Sequence, residues 1–185
     1  MNDRRKKPLI VYLHRYSPEY ESEQFPLFHN LMRALLPDYE IIYFSTKGAK
    51  KADNNLRRGI NIIEIPFSLD RTNAQDKWTK TLLYYLYLPV IFLRLIKLKP
   101  DFIICKETLP FIPSLIGKLK IPMFTEASDW WWSILLGKRA WGRKIALFLE
   151  KIEVRQWNCS KCVVVAHTQA EAKLRSRAFP RDRPE

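Results

Sequence analysis

Six short apolar runs alternate along this chain with longer segments whose apolar residues recur at helical spacing. The first run, Leu9–His14, is almost wholly apolar, as expected of a parallel strand buried on both faces. Phe25, Phe28, Leu31, Met32, Leu35 and Leu36 then fall on a helical pattern, with Pro26 tolerated in the first turn. Glu40–Ser45 and Ile60–Ile65 read as the second and third strands, separated by a polar, basic loop over Lys47–Gly59. A helical pattern from about Gln75 to Lys99 should kink at Pro89 and end at Pro100. Phe102–Cys105, Met123–Glu126 and Val163–Ala166 are the remaining strands. Helical segments over Leu109–Leu119 and about Ala140–Asn158 lie between them, the second placing Ile145, Phe148, Leu149, Ile152 and Trp157 on one side. Thr168-Gln-Ala-Glu171 has the form of a capping box opening a last helix. Strand–helix alternation of this kind predicts an α/β fold: a Rossmann-like, doubly wound parallel sheet of about six strands with helices on both faces. No repeat or internal boundary is visible, so residues 1–185 read as a single domain.

A chain of this length buries roughly 70% of its unfolded surface and needs no covalent staple. Its three cysteines exclude a fully paired disulfide framework. The apolar run behind the basic N-terminus is too short for a signal-peptide core, and the longest uncharged apolar stretch, Thr81–Leu93, falls short of the ~20 residues of a spanning helix. The expected compartment is the cytoplasm. The excess of 32 Lys and Arg over 19 Asp and Glu, a net charge of +13, points to an anionic partner. A nucleic acid is the weakest of these partners, because the basic residues are scattered over several loops and no groove-entering helix or RNP-type pattern is present.

Several signatures are absent or incomplete. There is no G-x-G-x-x-G and no Asp-x-Asp, which argues against a dinucleotide fingerprint and against a metal-held nucleotide. Gly137–Lys144 has P-loop-like spacing but lacks the Gly-Lys-[Ser/Thr] ending. Cys159-Ser-Lys-Cys162 ends a helix and precedes a strand, the reverse of a thioredoxin-type pair, and a zinc site would need two more ligands. Cys105 and His167 lie at the far ends of their strands, about 13 Å away at ~3.3 Å per residue. The cysteines therefore read as structural and no metal is expected.

In open parallel sheets, ligands bind beyond the carboxyl ends of the strands. Those ends supply His14, Arg15 and Tyr16, then Ser45, Thr46 and Lys47, then Lys106 and Glu107, Ser128, Asp129 and Trp130, and His167 and Thr168. This polar, basic and aromatic rim suits an anionic, sugar-bearing ligand.

The layout resembles the N-terminal, acceptor-side domain of the GT-B glycosyltransferases, family 4 in particular, over essentially the whole chain. The resemblance is carried by PLIVYLHRYSPEYESEQFPLFHNLMRALLPDYEIIYFST, LRLIKLKPDFIICKETLP, IPMFTEASDWWWSILL and VRQWNCSKCVVVAHTQAEAKLRSR. Two departures stand out. Tyr20-Glu21-Ser22-Glu23 replaces the family's glycine pair, and Ser128 occupies the place of its usual His, leaving Asp129 as the nearest acid. The resemblance implies the acceptor-binding half of a retaining, metal-independent transferase that moves a sugar from a nucleotide-sugar to a glycan or lipid-linked acceptor, with no cofactor. Asp129, backed by Glu126 and Glu107, is the candidate catalytic acid. Arg15, Tyr16, Lys47, Lys106, Ser128, Trp130 and His167 are the candidate substrate contacts. The family's nucleotide-sugar domain would begin where this sequence ends, at Glu185, so the isolated chain is expected to be inactive without that domain or a partner chain that supplies it.

The segment from Trp78 to Lys99 is apolar, aromatic and cationic, which fits a helix with one face on the sheet and the other on an anionic membrane. The resulting location is peripheral, on the inner face of the membrane. The alternative function is a non-catalytic, membrane-associated subunit or scaffold that recruits a separate donor-binding chain.

Overall fold

In a computed structural model, residues 7–18, 26–47, 59–66, 74–106, 112–127 and 140–165 are described. Six strands form one parallel sheet: β1 (Leu9–Leu13), β2 (Glu40–Thr46), β3 (Ile60–Ile65), β4 (Phe102–Cys105), β5 (Met123–Ala127) and β6 (Cys162–Val165). Their order, β3-β2-β1-β4-β5-β6, is that of a doubly wound α/β fold. Helices α1 (Pro26–Leu35), α2 (Ala74–Leu98), α3 (Ile112–Leu119) and α4 (Ala140–Cys159) connect or follow the strands. The chain divides into two compact units, Met1–Ile103 and Ile104–Glu185.

In the first unit the core begins with β1 and β2. Ile10 to Leu13 and Ile41 to Phe44 are all buried, so successive side chains on both faces of these strands are covered. Pairing is parallel and in register from Leu9↔Glu40 to Leu13↔Phe44, and β3 continues it from Ile41↔Ile60 to Thr46↔Ile65. That register sets Tyr12 directly opposite Tyr43, and their rings stack at 4.9 Å. Phe28 of α1 meets both edge-on, at 5.6 and 5.7 Å. Three aromatic pairs thus bind two strands to one helix, each contributing about 0.5–1.5 kcal/mol beyond its buried area. The helical spacing of the sequence puts Phe28 and Met32 inward, but Leu31 falls at the margin and is exposed. Gly59, at φ 88°, makes the turn into β3; a Cβ there would stand 3.2 Å from the Leu36 side chain.

The α2 helix runs through Pro89, which sits on its exposed side, so the proline does not divide the element. The helix stops by a left-handed cap: Lys99 has φ 47° and donates its N–H to the Leu95 carbonyl, and Pro100 cannot continue the turn. Asp101 then clips the next strand to β1. Its carboxylate accepts the Leu9 N–H at 2.7 Å, while its own N–H donates to the Leu9 carbonyl at 2.9 Å. The Lys-Pro-Asp triplet therefore has a local account: cap, stop and strand clip.

In the second unit α4 packs on α3 and β5, and β5 pairs with β6 from Phe124↔Cys162 to Ala127↔Val165. The last strand starts one residue earlier than its apolar run predicts, because Lys161 N–H donates to Met123 O and brings Cys162 into the ladder. The expected apolar side of α4 is corrected as well. Trp157 is buried but Phe148 is 62% exposed. The two are nine positions apart, about two and a half turns, and so lie on opposite sides of the helix. The inward side of α4 instead carries Glu153, Gln156 and Trp157. The capping box at Thr168 and most of the Lys47–Gly59 loop lie outside the described residues.

The clip at Asp101 gives the first prediction. Asp101→Ala should lower unfolding free energy by ~1–2 kcal/mol through loss of a charge-assisted bond to a backbone N–H. Urea denaturation measures it, and an unchanged midpoint would show that solvent replaces the carboxylate.

Candidate functional site

Two polar clusters occupy strand carboxyl ends, one in each unit. In the first unit, β1 hands over to His14, Arg15, Tyr16 and Ser17, of which His14, Arg15 and Ser17 are buried. The loop is fastened to the end of β2 by backbone and side chain together. His14 N–H donates to Phe44 O at 3.2 Å, and Thr46 gives both its N–H and its hydroxyl to the Arg15 carbonyl. Tyr43 is the central member. Its ring belongs to the aromatic core and its hydroxyl reaches out of it, donating to the Tyr16 carbonyl at 3.3 Å. With its one hydrogen so used, the hydroxyl accepts from His14 Nδ1, also at 3.3 Å. His14 Nδ1 then carries its hydrogen toward the Tyr43 hydroxyl.

Tyr16 forms the outer wall of this cluster. The His14 ring meets it edge-on at 5.3 Å, and the Arg15 guanidinium carbon stands 5.2 Å from its centroid, a cation–π distance. Ser45 and Thr46 are fully buried at the end of β2, where Ser45 donates to the Thr46 carbonyl. Lys47 is exposed and keeps its backbone N–H in the ladder with Ile65. The cluster gathers an imidazole, an aromatic ring and cationic charge on a loop bonded to the end of β2.

In the second unit, Lys106 follows β4 and Glu126 lies near the end of β5. Their side chains form an ion pair, Nζ to Oε1 2.9 Å, with the lysine side chain 4% and the glutamate 27% exposed. The sequence names both residues, in separate roles; the structure brings them together. The lysine is almost wholly buried, and the carboxylate keeps one edge toward solvent. Behind the pair, Gln156 donates to the buried Cys105 Sγ at 3.5 Å. Thr125 and Ser160 share a hydroxyl bond at 2.8 Å, and Ser160 also donates to Gln156 O. These bonds tie α4 to the strand ends that carry Lys106 and Glu126.

Arg15, Tyr16, Lys47, Lys106 and Glu126 are thus placed in the two clusters. Asp129, Glu107, Ser128, Trp130 and His167 lie outside the described residues. Among the described residues no three His, Cys, Asp or Glu gather as a metal site, and Cys105, Cys159 and Cys162 are free thiols. Sequence reasoning missed Tyr43 and Thr46 as the residues that fix the first loop. Tyr43 reads simply as one more apolar strand position; the available signal was a phenol in a run of Ile and Phe, since a buried Tyr hydroxyl needs a partner.

A cleft of about 550 Å³ opens at the other end of the first unit, lined by Lys7, Leu36, Tyr39, Glu40 and Gly59. It lies at the amino ends of β1 and β2 and at the carboxyl end of α1, whose Leu36 carbonyl accepts from Lys7 Nζ. That helix end disfavours anions, while Lys7 brings a cation and Glu40 a carboxylate to the same cleft.

No protein-family model and no curated protein sequence matches the chain. Solved structures do match in fold. UGT73P12 from Glycyrrhiza uralensis, crystallised with glycyrrhetinic acid 3-O-monoglucuronide, superposes with a TM-score of 0.65 at 12% identity, over 94% of this chain and 47% of that one. A UDP-glucosyltransferase from Polygonum tinctorium capable of glucosylating indoxyl, in complex with 3,4-dichloroaniline, gives 0.52 at 11% identity, over 94% and 48%. The chain spans about half the length of the structures it matches. The similarity establishes a Rossmann-like half of a GT-B fold.

Three substitutions test the clusters. Tyr43→Phe keeps the aromatic stack and removes the hydroxyl, and should cost about 1 kcal/mol. It should also quicken amide exchange at Arg15–Ser17 without changing exchange in β2. For the ion pair the effects should be unequal. Glu126→Gln takes the carboxylate from a buried ammonium and should cost ~2 kcal/mol, below the 3–5 of a fully buried pair because Glu126 meets solvent. Lys106→Met conserves volume, leaves a part-exposed carboxylate, and should cost less. Equal losses in urea titrations would show that the pair contributes by packing alone.

Proposed function

We propose that this chain is the acceptor-binding half of a retaining, metal-independent glycosyltransferase that moves a sugar from a nucleotide-sugar to a glycan or lipid-linked acceptor. The supporting observation is the superposition of 94% of the chain on about half of a UDP-glucosyltransferase and of UGT73P12. The polar clusters at strand carboxyl ends agree with it, since that is where doubly wound sheets bind ligands.

In this reading the bond from the donor's anomeric carbon to the phosphate oxygen breaks through an oxocarbenium-like transition state, an acceptor hydroxyl oxygen takes that place on carbon, and the hydroxyl's proton passes to the departing diphosphate. The donor-binding domain stabilises most of the leaving diphosphate. This half contributes position and charge. Arg15 and Lys47 in the first unit, and Lys106 in the second, supply cations for phosphate on donor or acceptor. Tyr16 offers an aromatic face to a sugar ring. Glu126, paired with Lys106, is assigned a positioning role here, and Asp129, with Glu107 as the second candidate, is the carboxylate proposed to face the reacting centre.

A transfer assay with labelled nucleotide-sugar and a glycan acceptor tests this reading, the chain being supplied with a nucleotide-sugar-binding domain either fused or as a separate polypeptide. Label should reach the acceptor only when both halves are present, with the donor's anomeric configuration kept in the product. Asp129→Asn should lower kcat by ~10²-fold or more while leaving Tm nearly unchanged, because the amide keeps the size of the side chain and removes its charge. Near-normal turnover in this variant would remove Asp129 from the catalytic role. Absence of transfer from every nucleotide-sugar would overturn the reading.

A further inference from the structure

Helix α2 has two apolar stripes. Tyr84, Leu88, Ile91 and Leu95 form one, all buried. Leu83, Leu86, Val90 and Leu93 form the other, at spacings of three, four and three, and all four are exposed, Leu86 at 68% and Leu93 at 64%. At 100° per residue the second stripe lies opposite the first, so the inward face of the helix is satisfied without it. Arg94 and Lys97, both exposed, continue that outer face at its carboxyl-terminal end. From Lys77 to Lys99 the segment has five cations, Lys77, Lys80, Arg94, Lys97 and Lys99, and no acid.

We infer that the outer stripe of α2 is a docking face for an anionic lipid bilayer, with the helix lying in the plane of the interface. The inference does not depend on the transferase reading. Charge decides the occupant. A second copy would bring two chains of net charge +13 together, and parallel pairing of the stripes would set Arg94 and Lys97 beside their equivalents. An anionic surface instead takes the leucines into its acyl boundary while Arg94 and Lys97 extend to the headgroups. Among the described residues no helix is long and apolar enough to cross a membrane, which fits a helix that lies on the surface.

The test is sedimentation of the full chain with vesicles of phosphatidylcholine alone or containing about a third phosphatidylglycerol. A chain of net charge +13 will meet anionic vesicles by charge alone, so the informative variant is neutral: Leu86→Gln with Leu93→Gln, both on exposed positions. Binding to the anionic vesicles should fall by about tenfold or more, on the scale of two leucine side chains withdrawn from lipid. A control pair, Leu147→Gln with Phe148→Gln on the exposed side of α4, should bind as the parent does. Arg94→Gln with Lys97→Gln should weaken binding and flatten its salt dependence. Unchanged binding in the Leu86/Leu93 variant, with circular dichroism and Tm as in the parent, would overturn the proposal. So would a parent dimer, seen by sedimentation velocity without lipid, that the same variant dissociates.

Discussion

The contact on which the first unit depends is made by Tyr43, whose two ends do different work. Its ring is stacked on Tyr12 and edged by Phe28, which commits β1, β2 and α1 to one packing. Its hydroxyl stands where that core ends, and holds both the Tyr16 carbonyl and the His14 ring. Position on the loop is therefore inherited from the core. A strand-end loop made only of polar residues would have to be ordered by its own weak hydrogen bonds; here it is ordered by an aromatic side chain that buries most of its area elsewhere. Thr46 repeats the device with two donors on one carbonyl of the same loop. Preorganisation of this kind is what a binding surface requires, because groups already held in place lose less entropy when ligand arrives.

In the second unit Lys106 stands at a strand end with its side chain almost wholly out of water and paired to Glu126, and the asymmetry of exposure within the pair matters. A pair buried on both sides would be locked and electrically neutral toward solvent. With Glu126 partly open, an incoming anion can compete for the ammonium and an incoming hydroxyl can bond the carboxylate.

Most of the fold was legible in the sequence because period and burial agree in a parallel α/β protein. Continuous apolar runs such as Leu9–Leu13 and Ile41–Phe44 have no other use than strands covered on both faces. Helix faces were less legible. Phe148 counts as apolar wherever it points, and only the half-turn offset from Trp157 reveals that it cannot share the buried side with it. The same indifference to direction hides the outer stripe of α2, where the apolar residues of two opposite faces merge in the sequence into one hydrophobic stretch. At the candidate site, residue types at strand ends could be read, and Arg15, Tyr16, Lys47, Lys106 and Glu126 were singled out on that basis. What could not be read was pairing: the bond between Lys106 and Glu126 joins two strands twenty residues apart in the chain, and the anchoring by Tyr43 spans an intervening helix. Both depend on register, which the apolar pattern alone leaves free.

In the proposed function the first unit binds its ligand at the carboxyl ends of β1 and β2 and not in the cleft lined by Lys7, Tyr39 and Glu40 at the opposite ends. Backbone amide chemical shifts of the labelled chain, followed while a phosphorylated glycan acceptor is titrated in, test this most directly. The account predicts that His14, Arg15, Tyr16, Ser17 and Thr46 shift along one saturating curve, and that Tyr43→Phe weakens that curve. Saturable shifts confined to Lys7, Leu36, Tyr39, Glu40 and Gly59 would contradict it.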